Sequence, residues 1–371
     1  MTLQRHRNPW DGSYYWRLPS WQRFMLRVVR GEGRSTAERL VAFALRLLSL
    51  AYHAGLAGNL LLYRLGILKA QRLPAAVISV GNITVGGTGK TSATCALARN
   101  ASRRGEKVAV LSRGYGGARA GVVQNGGRLL MTQEQAGDEP YLIAAKLPGT
   151  AVLVGKHREI TGKVAIERLS ASVLILDDAF QYWPLYKDRE IVLVDALNPF
   201  GFGHLLPGGM LREPVRNMKR AHEVWITHCD LVKPGEVERL RRTISALHPK
   251  APVVETIHEP VGLLDLTGRP LPLEELRGKR IVALSSIGNP EAFERTLQKL
   301  GAVALPFRFR DHHKYTVRDA EEIEAIAAGV AEAMVTTEKD AVRLPARQWR
   351  LPCWVLQVEI KAVRGEITAW P

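Results

Sequence analysis

Lys90 and Thr91, directly after Gly86-Gly87-Thr88-Gly89, are the residues of this chain best suited to holding a phosphate. The glycines let the backbone curl until its N–H groups converge on phosphate oxygens. A helix starting near Lys90 adds partial positive charge at the same place. Lys90 would then reach the β- and γ-phosphates of a nucleotide, and the Thr91 hydroxyl would ligate Mg²⁺. Thr88 and Ser92 are read with them as nucleotide-binding residues. One position departs from G-x-x-x-x-G-K-[ST]: Thr84 stands where the first glycine belongs. The glycines beside the phosphates remain.

Carboxylates follow at informative places. Val173–Leu176 is a continuous apolar run that ends in Asp177-Asp178. An acid at the end of a strand downstream of a P-loop orients Mg²⁺ or its water. Gly137-Asp138-Glu139-Pro140 sets two acids in a turn or helix start, where they cap a helix or supply a base and a metal contact. Arg113 and Tyr115 lie in Ser112–Gly116, just past a strand, where open α/β sheets bind ligands; a solvated arginine in a glycine turn is the alternative. Asn198 to Pro214 is too rich in Gly and Pro for a plain connection, and its Arg212-Glu213 pair reads as a substrate loop or a rigid surface loop. Asp311-His312-His313 is not read as a metal site, because adjacent histidines do not converge on one ion and no third ligand is spaced for it.

The elements that must position these groups alternate as in an α/β fold with a P-loop-type parallel sheet. Apolar runs at Val77–Val80, Val108–Leu111, Ala151–Val154, Val173–Leu176, Ile191–Val194 and Val224–Thr227 predict strands. Residues 73–248 form the expected kinase core, 249–278 a linker with a β-ribbon, and 279–371 a smaller C-terminal α/β domain. Residues 1–72 differ from the rest, with twelve Lys or Arg against three Asp or Glu. Trp10, Tyr14, Tyr15, Trp16, Trp21 and Phe24 interleave with these charges, and residues 40–68 are largely apolar. The uncharged window between Arg46 and Arg64 is 17 residues, at the short limit for a membrane span. An arginine-rich, aromatic flank beside an apolar helix suits a membrane interface; a helix packed on the protein's own core is the alternative.

The chain has 371 residues and a formal net charge of +16, which favours anionic partners. No helix-turn-helix, RNP or zinc pattern supports nucleic acid as that partner. Cys95, Cys229 and Cys353 lie far apart, as in a protein of a reducing compartment without disulfides. A partitioning-type ATPase would carry a lysine before the glycine turn, where this chain has Val85. A soluble small-molecule kinase would have no use for residues 1–72.

VGNITVGGTGKT, LSRGYG, GDEP, LILDDAFQ, LLPGGMLREP, IGNPEAF, FRDHHKY and TTEKDAVRL occur in that order along the chain. Together they resemble the tetraacyldisaccharide 4'-kinase family of lipid A synthesis, over about residues 40 to 345. The family tends to read LDDGFQH where this chain has Ala179 and Tyr182. The resemblance implies transfer of the γ-phosphate of ATP, with Mg²⁺, to the 4'-hydroxyl of an acylated disaccharide 1-phosphate. It implies anionic lipids of the cytoplasmic face of the bacterial inner membrane as surroundings. By matched motif, Asp138 resembles the base and His312 its partner, in a dyad spanning the two domains. Thr91, Glu139, Asp177, Asp178 and Gln181 would serve Mg²⁺, and Arg113, Tyr115, Arg158, Arg212 and Glu213 the substrate.

Overall fold

The computed structural model describes residues 20–33 and 35–367. The described residues divide into two compact units, one of residues 24–258 with 360–367, the other chiefly of Glu259–Glu359. The larger unit carries β1 (Ala76–Asn82), β2 (Val108–Ser112), β3 (Gly121–Asn125), β4 (Ala151–Val154), β5 (Val173–Leu176), β6 (Arg189–Asp195), β7 (Glu223–Thr227) and the start of β8 (Val253–Asp265). Their order across the sheet is β8-β7-β6-β1-β5-β2-β4-β3. The strands pair in parallel, save β3, which runs antiparallel along β4 with a bulge between Val122 and Gln124.

Parallel strands are covered on both faces, and β1 shows how the sequence arranges it. Ile78 and Val80 pack with Ala93, Leu97 and Ala98 of the helix Lys90–Arg103. Val77 turns to the other face, with Leu174, Leu176 and Ala165 of the helix Arg158–Leu169. Burying each of the larger aliphatic side chains is worth about 1.5–3 kcal/mol, which ties the Gly-rich turn to a rigid strand and a rigid helix. Farther along, Val192, Val194, Val224 and Ile226 meet Val237, Leu240 and Ile244 of the helix Pro234–Leu247.

The expected strands are present, with ends shifted by a residue or two at most in this unit. β3 was not anticipated. It is short, carries Gln124, and runs into the Asn125-Gly126-Gly127 turn, so it lacks the apolar run that marks the buried strands.

In the smaller unit, β9 (Pro270–Leu271) forms an antiparallel ribbon with the far end of β8. Beyond it come β10 (Arg280–Ser285), β11 (Val303–Arg308), β12 (Ala333–Thr337) and β13 (Cys353–Arg364), ordered β11-β10-β12-β13 and all parallel. Ile281 and Ala283 face Phe293 and Leu297 of the helix Pro290–Lys299. Val282 and Leu284 face Ile323 and Ala327 of the helix Val317–Ala327.

The apolar N-terminal stretch is a single helix, Thr36–Arg64, of 29 residues. Ser35 and Glu38 form a capping box at its start, and Arg27 Nε donates to Glu38 Oε1 at 3.0 Å. It is long and apolar enough to cross a membrane, and Leu40, Phe43, Leu47, Leu48 and Leu50 are each more than half exposed. Its other side is fastened to the loop after β6. Ser49 Oγ donates to the Leu205 carbonyl at 2.8 Å and accepts from Gly208 N at 3.0 Å. Tyr52 OH donates to the Arg212 carbonyl at 2.8 Å. Trp10, Tyr14, Tyr15 and Trp16 lie outside the described residues.

Candidate active site

The Gly-rich turn leaves the carboxyl end of β1 with Gly86 at φ 117° and Gly89 at φ 86°, values in the region that favours glycine. Gly89 is the N-cap of the helix Lys90–Arg103, so the first free N–H groups of that helix open into the turn. Asn82 Nδ2 donates to Thr88 Oγ1 at 3.0 Å and braces the turn from below. Two backbone bonds tie its approach to the loop after β6: Val85 N to the Met210 carbonyl at 2.8 Å, and Arg212 N to the Ile83 carbonyl at 2.7 Å. The loop that carries Arg212 is therefore stitched to the phosphate turn.

Asp178 lies at φ 49°, a left-handed conformation that aspartate tolerates better than most residues. It accepts both terminal nitrogens of Arg212, at 2.7 and 3.1 Å, and Lys90 Nζ stands 4.0 Å away. Burial raises its carboxyl, but Lys90 and Arg212 override that effect and hold it at about 2. Arg212 Nη1 also donates to Gln181 Oε1 at 3.2 Å, and Gln181 Nε2 to the Asn82 carbonyl at 2.8 Å. Asp177 sits deeper, where Thr94 Oγ1 donates to one oxygen at 3.2 Å and Ser112 Oγ to the other at 3.4 Å. β1 and the Asp177-Asp178 turn approach closely because residue 81 is glycine; a Cβ there would lie 2.5 Å from Phe180 Cβ.

Asp138 and Glu139 open the helix Asp138–Lys146, where the free N–H groups of the first turn favour carboxylates. Gln133 Nε2 donates to Asp138 Oδ1 at 2.9 Å. Glycines seat this helix start on the Arg113–Gly117 loop: a Cβ on Gly137 would meet the Tyr115 carbonyl at 2.8 Å, and one on Gly117 the Ala136 carbonyl at 2.7 Å. Arg113 and Tyr115 are exposed. Arg158 is buried, its guanidinium over the Tyr182 ring at 4.6 Å and its Nε without a hydrogen-bond partner. Burial pushes that guanidinium down, and Tyr182, Asp177 and Asp178 pull it back. Tyr182 OH accepts from Arg158 N at 3.1 Å and donates to Glu159. Burial and the Glu159 bond push this phenol up to about 12.

Lys90, Asp178, Gln181 and Arg212 thus form one bonded set, with Asp177 beneath it and Arg158 within its electrostatic reach. Glu213 faces away from this set. It is fully buried and accepts from Arg220 at 2.7 and 3.1 Å and from Asn217 at 2.8 Å. His312 belongs to the smaller unit, at φ 60°, where Arg343 Nη2 lies 3.0 Å from its Nδ1. His313 turns instead to Asp319, at 3.1 Å, and stacks on Phe309. Among the described residues no group of three His, Cys, Asp or Glu is arranged to hold a metal alone.

Sequence reasoning missed several neighbours of these groups. The His258 ring fills the space beside Gly89, where a Cβ would meet its Cε1 and Nε2 at 2.5 Å. It stacks on His228 at 4.4 Å, and His228 Nδ1 is 3.0 Å from Asp195 Oδ1. Nothing in the spacing of residues 89, 228 and 258 signals this. Asp340 and Arg343 were missed as well, and the one trace of them in the sequence is their three-residue spacing inside TTEKDAVRL.

Comparison with known proteins follows the same lines. Residues 41–370 match the family described as Tetraacyldisaccharide-1-P 4'-kinase. The chain is 49% identical over 291 residues to a tetraacyldisaccharide 4'-kinase of Anaeromyxobacter sp. (strain K), covering 77% of this chain and 76% of that one. A relative of the same name from Anaeromyxobacter sp. (strain Fw109-5) is 43% identical and covers 92% of this chain and 93% of its own. Among solved structures, the "apo" form of LpxK from Aquifex aeolicus in complex with ATP superposes with a TM-score of 0.68 at 30% identity, covering 87% of this chain and 96% of that one.

Proposed function

We propose a mechanism from one premise: the chain belongs to the tetraacyldisaccharide-1-P 4'-kinase family. Its activity is that of a tetraacyldisaccharide 4'-kinase, ATP-dependent phosphorylation in lipid A synthesis. The cradle fits a triphosphate. Gly86 and Gly89 hold the left-handed φ values that curl the turn, and the buried Arg158 Nε has a donor to spare. Thr91, Glu139, Asp177, Asp178 and Gln181 offer the hard oxygen donors that Mg²⁺ takes together with phosphate oxygens and water. Bound ATP supplies the phosphoryl group, and Mg²⁺ neutralises its charge.

The chain's own residues position and compensate charge, which is most of what phosphoryl transfer asks of a protein. Lys90 and the backbone of residues 86–92 hold the phosphates in line. Arg158 and Arg212 stabilise charge on the transferring group, Arg212 exchanging part of its hold on Asp178 for phosphate oxygens. Arg113, Tyr115 and Glu213 belong to the substrate side, Glu213 by fixing the Arg212 loop through Arg220. Asp138 takes the proton of the sugar 4'-hydroxyl as the new O–P bond forms and the bond from the γ-phosphorus to ADP breaks, with His312 as its partner. Residues 73–248 act as the kinase core, 249–278 as a linker, and 279–371 as the C-terminal domain that brings His312. Residues 1–72 seat the enzyme at the cytoplasmic face of the inner membrane, where anionic lipids meet the arginines around the apolar helix.

The observation that carries this reading is the bonded set of Lys90, Asp178, Gln181 and Arg212 at the carboxyl ends of β1 and β5. Its test is chromatographic. Tetraacyldisaccharide 1-phosphate with γ-labelled ATP and Mg²⁺ gives a labelled lipid that is absent with Lys90→Ala. ATP hydrolysis without labelled lipid contradicts the reading.

A further inference from the structure

We infer that Arg343 fixes His312 as its Nε2–H tautomer, so that the ring's outer nitrogen is a hydrogen-bond donor and not a proton acceptor. The inference rests on the reading of His312 as partner of the base, and makes Arg343 a positioning residue for the same reaction. Arg343 Nη2 lies 3.0 Å from His312 Nδ1. A guanidinium has five N–H donors and no lone pair, so the nitrogen facing it accepts and carries no proton. The proton of the neutral ring then sits on Nε2. A doubly protonated ring would forfeit this bond and set two cations side by side.

The geometry is built from below. The Arg343 side chain is almost wholly buried, and its Nη1 donates to the Ser286 carbonyl at 3.2 Å, to Ser286 Oγ at 3.1 Å and to Asp340 Oδ1 at 3.4 Å. Asp340 is fully buried and accepts from Ser286 N at 3.1 Å, Thr337 Oγ1 at 2.8 Å, Tyr315 OH at 3.3 Å, and Ser286 Oγ. Ser286 also accepts the backbone N–H of His312 at 3.1 Å. Ring and guanidinium therefore hang from one residue at the end of β10, and their relative placement is rigid. Asp311 Oδ1 is 4.0 Å from Nε2, a carboxylate near a donor. On the reading of Asp138 as the base, an Nε2–H group stabilises that carboxylate in its ionised form and leaves it free to take the hydroxyl proton, while the imidazole keeps its own.

Long-range ¹H–¹⁵N correlation on full-length, ¹⁵N-histidine-labelled protein at neutral pH reads the tautomer, with the signal assigned by His312→Gln. The expected pattern is an acceptor-type Nδ1 with a protonated Nε2. An Nδ1–H tautomer or an imidazolium overturns the inference without any activity assay. Arg343→Lys keeps the buried charge but shortens the reach to the ring. It should give a mixed tautomer and a kcat lower by about tenfold, a fraction of the ~100-fold that a positioned base supplies, with KM for ATP unchanged. An unchanged tautomer and kcat in Arg343→Lys also overturns the inference; if that variant fails to fold, the parent spectrum decides. Full kcat in His312→Ala would instead defeat the catalytic reading of His312 and leave the tautomer result standing.

Discussion

Arg212 holds Asp178 with both ends of its guanidinium, Nη1 to Oδ1 at 2.7 Å and Nη2 to Oδ2 at 3.1 Å. The fork joins the acid that follows β5 to the loop that follows β6, and that loop is itself sewn to the phosphate turn through Ile83 and Val85. One ion pair thus fixes the spacing between a carboxylate and two cations, Arg212 and Lys90.

If the fork acts as a unit, Asp178→Asn and Arg212→Met should be strongly non-additive. A double-mutant cycle on kcat/KM should show a coupling of about 1–3 kcal/mol, as for bonded charged pairs. Additive losses would mean that the two residues act separately.

Asp178 also sets a pH dependence. Its carboxyl lies at about 2 in the folded protein, below the ordinary 3.8, with the raising effect of burial outweighed by Lys90 and Arg212. A depressed carboxylate contributes stability that is complete above its unfolded value and lost as pH falls toward the folded one. The difference in thermal midpoint between the parent and Asp178→Asn should therefore be flat near neutrality and shrink below about pH 4. A difference that grows as pH falls would contradict the assignment.

Gly81→Ala tests the close approach behind the site. The new Cβ would stand 2.5 Å from Phe180 Cβ and 2.7 Å from Phe180 N, so β1 or the Asp177-Asp178 turn has to move. Overpacking of this kind costs about 1–3 kcal/mol, and weaker ATP binding should accompany the lower melting temperature. Calorimetry of the parent and of Gly81→Ala, each with and without ATP, checks the pair of effects together.

The N-terminal helix and the Arg212 loop share Gly208. A Cβ there would meet Ser49 Oγ at 2.8 Å and Arg46 N at 3.2 Å. Gly208→Ala should raise KM for the lipid acceptor and leave KM for ATP unchanged. Ser49→Ala removes both bonds to the loop, to the Leu205 carbonyl and from Gly208 N, together with the one to the Leu45 carbonyl of its own helix, and should cost about 1–2 kcal/mol of stability. On the opposite side, Leu47 and Leu50 are exposed, so replacing both with Glu should leave the melting temperature nearly unchanged. The same change should release the protein from anionic vesicles in flotation. Retention on the vesicles would remove that helix face from the membrane account.

Much of the site was legible in order along the chain, because its parts sit at strand ends. The glycine turn after β1 and the acids after β5 are local patterns, and a parallel sheet brings strand ends together without further instruction. What was not legible depends on side chains meeting across distance. Glu213 reads as a substrate residue next to Arg212, yet it is buried and held by Arg220 and Asn217, partners that follow it in the chain and that no local pattern announces. His258 reaches Gly89 only because β8 runs beside β7. The start of the N-terminal helix was also missed: the apolar pattern begins at residue 40, whereas the capping box of Ser35 and Glu38 starts the helix at Thr36. Tyr182, where the family tends to have His, takes a structural place between Arg158 and Glu159.

The most direct measurement is labelled phosphate transfer to tetraacyldisaccharide 1-phosphate in mixed micelles, with parent, Lys90→Ala and Asp138→Ala side by side. The account predicts labelled lipid from the parent and none above background from Lys90→Ala. It predicts a loss of about 100-fold or more in Asp138→Ala with ATP binding retained. Near-parental transfer by Asp138→Ala would contradict the assignment of the base, and parent enzyme that hydrolyses ATP without labelling lipid would contradict the whole account.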